Sequence, residues 1–113
     1  MDVKDALAQL AESRHLAGAD LSGADLSGVD FTGCHLEKVR LATANLTGCK
    51  LAGSVLQGCD LTGANLTGAD LSTVQMQDGS LAGANLQGVH GLLSSFPNEF
   101  TKITFINEQA TLG

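Results

Sequence analysis

The chain has 113 residues, enough for one domain, and 12 acidic against 6 basic residues leave it at −6. That balance excludes a non-specific nucleic-acid binder, which needs a basic face for the phosphates. A 43% apolar content excludes a disordered acidic tail, and the lack of Trp and Tyr beside 4 Phe requires a core that is narrow or filled by aliphatics.

Residues 1–13 are expected to form an N-terminal capping helix. Asp2 to Ser13 are rich in helix formers, with Asp2 placed as an N-cap. Val3, Leu7 and Leu10 share one face, with Ala6 and Ala11 beside it, and that face suits a lid on whatever follows. The start lacks a basic stretch leading into an apolar run, and no segment reaches the roughly 18 apolar residues of a membrane span. The expectation is therefore a cytoplasmic chain with no membrane contact.

Residues 14–90 repeat with a period of five. Stepping from Leu16 by five gives 15 consecutive apolar residues ending at Leu86, of which 13 are Leu, with Phe31 and Met76 as the others. No α-helix or flat strand has that period. Two residues before each centre the side chain is small, from Ala19 through Cys34, Val39, Cys49 and Cys59 to Ala84, with Arg14 the first and only break. Two residues after it, 11 of the 15 positions are Gly. Along an extended segment the centre and the small residue point the same way, so both face an interior while the residue between them faces water. The Gly falls at the third position of a four-residue turn, where a type II turn needs positive φ. Lys38, Thr43, Thr73 and Asp78 replace that Gly, which disfavours a type II corner there.

A turn near 90° after each unit closes four units into a square rung of 20 residues. Outward side chains one rung apart then stack at roughly 4.8 Å. One column reads Asp20, Arg40, Asp60, Ser80; the next Asp25, Asn45, Asn65, Asn85; a third Asp30, Lys50, Asp70, His90. Two columns alternate in sign and one is a ladder of Asp and Asn, as stacked neighbours favour. Rungs of 15 or 25 residues also pair Asp25 with a base, Arg40 or Lys50, but scatter the Asp/Asn column, so the columns favour 20 without excluding the others.

The units Ala19-Asp20-Leu21-Ser22-Gly23, Ala24-Asp25-Leu26-Ser27-Gly28 and Ala64-Asn65-Leu66-Thr67-Gly68 resemble the pentapeptide repeat family. The resemblance implies an all-β solenoid, a right-handed quadrilateral β-helix of about four rungs with the short N-terminal helix as its cap. After Val89 the period fails. Residues 91–113 contain Leu92, Leu93, Phe96, Phe100, Ile103, Phe105 and Ile106, more apolar surface than one square end hides. They are expected to cover the last rung and to offer a route to a homodimer.

Candidate chemistry is sparse. Cys34, Cys49 and Cys59 occupy inward positions on three different sides and read as small core residues, and the absence of CxxC spacing argues against zinc or redox use. His15 and His35 stack one rung apart and could together meet a metal, but the column continues with Val55 and Gln75 and completes no site. Ser27, Thr47 and Thr67 make a hydroxyl ladder ending at Gln87, too short for an ice-ordering face. Lys38, Arg40 and Lys50, with Glu37, form the one basic cluster, read as a solvated face partly paired with aspartates. No catalytic residues, cofactor or metal site are expected. The expected role is a non-enzymatic structural or interaction module with a protein partner and no direct nucleic-acid contact. The resemblance implies an alternative, since some pentapeptide repeat proteins mimic duplex DNA and bind DNA gyrase. Arg40 and Lys50 interrupt the acidic columns, and fewer than four rungs make a rod only roughly 18 Å long, both of which argue against it.

Overall fold

The computed structural model describes residues 2–91. The expected cap over the last rung and the expected C-terminal dimer surface belong to residues 91–113, of which all but Gly91 lie outside the described residues.

Four short parallel strands, β1 (His15–Ala17), β2 (His35–Glu37), β3 (Val55–Gln57) and β4 (Gln75–Gln77), stack in that order along one side of the coil. Their register, Leu16 beside Leu36 beside Leu56 beside Met76, advances by one rung at each step. On the other three sides each rung contributes one bridged residue: Asp20 to Arg40 to Asp60 to Ser80, Asp25 to Asn45 to Asn65 to Asn85, and Asp30 to Lys50 to Asp70 to His90. Rungs of 15 or 25 residues are thereby excluded. The chain is a four-sided β-helix.

Period five works because each unit has one inward pair and one corner. The centres are buried from Leu16 through Leu86, and Ala44, Cys49, Ala64, Ala69 and Ala84 at the small positions are fully shielded. On the first rung Ala24 and Val29 are only half-buried. No rung stacks beneath them, and helix α1 (Val3–Ser13) packs against the β1 side instead. The lid covers part of the first rung rather than all of it.

The corners are of two kinds. On three sides the small residue's N–H donates back to the centre's carbonyl, as Ala24 N to Leu21 O at 3.1 Å and Ala64 N to Leu61 O at 3.0 Å. With positive φ at the third residue, such as +71° at Gly23, these match the type II pattern. Among the described residues, the corners leaving β1 to β4 lack this bond. Of the four replaced glycines, Thr43 and Thr73 depart from expectation, whereas Lys38 and Asp78 fall on the corners leaving β2 and β4, which lack the bond. Lys38, Thr43, Thr73 and Asp78 all keep a left-handed backbone, at φ 53°, 58°, 55° and 56°. Thr43 and Thr73 even keep the turn bond, Ala44 N to Leu41 O at 3.0 Å and Val74 N to Leu71 O at 3.2 Å. At two of the four, bonds between rungs hold the conformation: Lys38 N donates to Gln57 O at 2.7 Å and Thr43 N to Thr62 O at 2.8 Å. A non-glycine residue in this region costs roughly 1–2 kcal/mol.

In α1, Asp2 Oδ1 accepts from Asp5 N at 2.8 Å, as a capping aspartate should. Ala6 and Leu10 are buried, Val3 and Leu7 pack against the core, and Ala11 is exposed. The helix ends at Arg14, whose left-handed backbone (φ 58°) brings its N–H to Leu10 O. Among the described residues no helix is long and apolar enough to cross a membrane.

Candidate functional site

The outward position before each centre does local backbone work as well as facing water. Asp20, Asp25, Asp30, Asp60 and Asp70 each accept, through Oδ1, the backbone N–H of the residue two further on, at 2.9–3.1 Å. Asn45, Asn65 and Asn85 do the same at 3.0–3.1 Å, and Ser80 Oγ takes the part at 3.2 Å. These are Asx-type turns that hold each corner's entry. They explain why this position favours Asp and Asn over other polar residues. Hydroxyls join the same acceptors: Ser27 Oγ to Asp25 at 2.8 Å, Thr62 Oγ1 to Asp60 at 2.6 Å, Ser72 Oγ to Asp70 at 2.6 Å. The hydroxyls, and next the N–H groups, hold these three carboxyls below the usual carboxylate range. Ser22 and Thr32 act on Asp20 and Asp30 in the same direction. The Ser27, Thr47, Thr67 ladder is likewise turned onto its own Asp or Asn, with Thr47 Oγ1 2.6 Å from Asn45 Oδ1 and Thr67 Oγ1 2.5 Å from Asn65 Oδ1.

Arg40 lies between Asp20 and Asp60 in the ladder, and Lys50 between Asp30 and Asp70. Their charges help to lower the aspartate pKa values. None of these neighbours closes to ion-pair distance. The sole salt bridge among the described residues joins Arg14 and Asp30 at 3.9 Å. Arg14 also donates through Nη2 to Thr32 O. One rung up, the equivalent Ala52 O accepts from Gly33 N of the rung below. Thr32 has no rung below it, so Arg14 stands in for the missing donor. The residue that breaks the small-position pattern is an end cap. Lys38, Arg40 and Lys50 are all exposed, and the Lys38 stem lies over Gly58, its Cγ 3.3 Å from where a Cβ there would be.

Cys34, Cys49 and Cys59 are buried and free. Burial pushes the Cys49 thiol up to about 12 and the Cys59 thiol to about 11, and raises Cys34 as well.

His15 and His35 stack as expected, ring centroids 5.1 Å apart and planes at 64°. The pair has a third neighbour. Glu37 offers a carboxylate oxygen, and the three ligand atoms lie within 4.8 Å of one another. Reading down the column from His35 reaches Val55 and misses Glu37, which lies two residues along the same strand. The His-x-Glu spacing, outward at both ends, was the available signal.

A family model for the pentapeptide repeat region matches residues 12–90. The chain belongs to the pentapeptide repeat family, whose members fold as right-handed quadrilateral β-helices and are generally structural or interaction modules. Among solved structures the chain is similar to QnrB1, a plasmid-mediated fluoroquinolone resistance protein. The identity is 17%, the TM-score 0.62, and the match covers 66% of this chain and 39% of that one. It is also similar to a pentapeptide repeat protein of the Arabidopsis thaliana thylakoid lumen, at 34% identity and TM-score 0.39, over 76% of this chain and 60% of that one. A pentapeptide repeat protein from Nostoc Pcc 7120 matches at 26% identity and TM-score 0.38, over 93% of this chain and 97% of that one. The chain thus spans well under two thirds of the QnrB1 chain it matches. No curated protein matches the sequence.

Proposed function

We propose that the chain is a non-enzymatic interaction module that works in the cytoplasm and binds a protein partner with its ladder faces. The supporting observation is the register between rungs. Each outward side chain stands directly over its equivalent one rung away, on a backbone hydrogen-bonded at every step. Such a surface displays side chains at fixed spacing with little ordering cost on binding.

The second reading, a duplex-DNA mimic acting on DNA gyrase, draws on the fold shared with QnrB1 and on the net charge of −6. Against it, Arg40 and Lys50 sit within two of the three bridged columns and break the run of negative charge a phosphate backbone presents. A gyrase supercoiling assay separates the two. The full chain should leave supercoiling unchanged, whereas inhibition at micromolar protein would replace the first reading with the second.

A further inference from the structure

We propose that His15, His35 and Glu37 form a surface site for one divalent transition-metal ion of the zinc class, bridging the first and second rungs. The three donors come from two adjacent, hydrogen-bonded strands, β1 and β2. Two imidazoles and a carboxylate are a ligand set that zinc accepts, with a fourth position left for water. Two imidazole nitrogens also select against calcium and magnesium, which take oxygen donors.

The backbone that carries the donors is fixed. Leu16 and Leu36, between and beside the ligands, are buried in the core and set the outward direction of His15, His35 and Glu37. His35 N donates to Arg14 O at 2.9 Å. The His15 carbonyl, at the open edge of the first rung, accepts from Gln9 Nε2 at 3.2 Å and shares the Ser13 hydroxyl, 3.1 Å away, with Gln9 O at 2.9 Å. His15 N in turn donates to Ser13 Oγ at 3.2 Å. The edge strand that bears the first ligand is therefore tied to α1.

The side chains have room to close. Tetrahedral coordination at about 2.0–2.1 Å brings ligand atoms to about 3.4 Å of one another. The donor atoms already lie within 4.8 Å of one another, a gap that the proposal closes by side-chain rotation. Both histidines are exposed. Glu37 pairs in register with Ala17, whose side chain ends at Cβ and leaves the space beside His15 open to the carboxylate. On the far side of His35 the ladder continues with Val55, which offers no competing donor.

The test uses the full chain with Zn2+ in competition against a chromophoric chelator, and Co2+ as a spectroscopic probe. One Zn2+ per chain should bind. His15→Gln, His35→Gln and Glu37→Gln should each weaken it by about tenfold or more. His90→Gln, at the third histidine of the chain on another side of the coil, should leave binding unchanged. Circular dichroism of each variant controls for folding, which exposed positions should tolerate. The Co2+ complex should show ligand-field bands without a thiolate charge-transfer band. The proposal is overturned by three results: no saturable Zn2+ binding, binding that His15→Gln leaves intact, or a thiolate band, which would move the metal to the cysteines.

Discussion

Met76 occupies the space that a side chain on Gly79 would need. A Cβ built on Gly79 would meet Met76 Cε at 2.9 Å and the Cys59 carbonyl oxygen at 2.7 Å. The two departures from the repeat, Met for Leu at a centre and Gly at a small position, therefore fit one another across a corner. Gly79→Ala should lower stability by about 1–3 kcal/mol through overpacking. Most of that cost should persist in a Met76→Leu background, because the Cys59 oxygen belongs to the backbone. Urea denaturation of the four chains measures it, and complete rescue by Met76→Leu would mean that the backbone contact does not limit the site.

Gly68 provides the contrast. Its φ is +70° and a Cβ there would meet nothing within 4 Å. Gly68→Ala should cost about 1 kcal/mol, the left-handed penalty less the entropy Ala saves in the unfolded chain. Thr73→Gly, at φ 55°, should be neutral or stabilising by up to about 1 kcal/mol. A Gly68→Ala chain as stable as the parent would show that the corner is not held left-handed.

The centres should behave as a core that cannot collapse. Leu46 is 1% exposed and Leu66 is fully buried, one rung apart. Leu46→Ala should cost about 2–5 kcal/mol. A loss under about 1 kcal/mol would contradict burial at that position, since even partial collapse leaves the transfer cost.

The rung length was only favoured by the sequence: a period of five allows three, four or five sides, a rung of 20 aligns Asp25, Asn45, Asn65 and Asn85, and the bridges between rungs decide for it. What escaped were contacts that cross that bookkeeping. The Asx turns run along the chain, from Asp60 Oδ1 to Thr62 N, and polar spacing alone looks the same for a solvated face. Glu37 reaches the histidine pair along a strand rather than up a column. Arg14 looked like an error in the repeat, and its use emerges only once Thr32 O is seen to lack a rung beneath it. The left-handed backbone at Lys38 and Thr43 is set by bonds between rungs, which outweigh the local preference that the residue type expresses.

The three thiols should be inert in the native state. Cys49 and Cys59 are buried with pKa values raised to about 12 and about 11, so almost no thiolate is present near neutral pH. A chromogenic disulfide reagent at mildly alkaline pH should label Cys34, Cys49 and Cys59 at the rate of unfolding, and at once in denaturant. Rapid labelling of any one without denaturant would place its small position outside the core.

Acid should loosen the corners before it affects the core. Asp25, Asp60 and Asp70 have folded pKa values below their ordinary range, chiefly from the hydroxyl two residues on and then from its N–H. A carboxyl whose folded pKa is depressed binds protons more readily when unfolded. Its contribution is therefore complete above the unfolded value near ~3.9 and is lost as pH falls through the lower folded value. Stability should hold from neutral pH to about 4 and decline below it. Asn in the same position keeps the turn without titrating, as Asn65 does with Thr67 N at 3.1 Å. Asp60→Asn combined with Asp70→Asn should therefore flatten the acid limb and leave the spectrum at neutral pH unchanged. Asp60→Ala with Asp70→Ala removes the acceptors themselves, exposing Thr62 N and Ser72 N, and should lower stability at every pH. Thermal melts of the three chains between pH 2 and pH 7 decide it. If the Asn pair melts with the parent's acid slope, the aspartates are bystanders and the loss arises elsewhere.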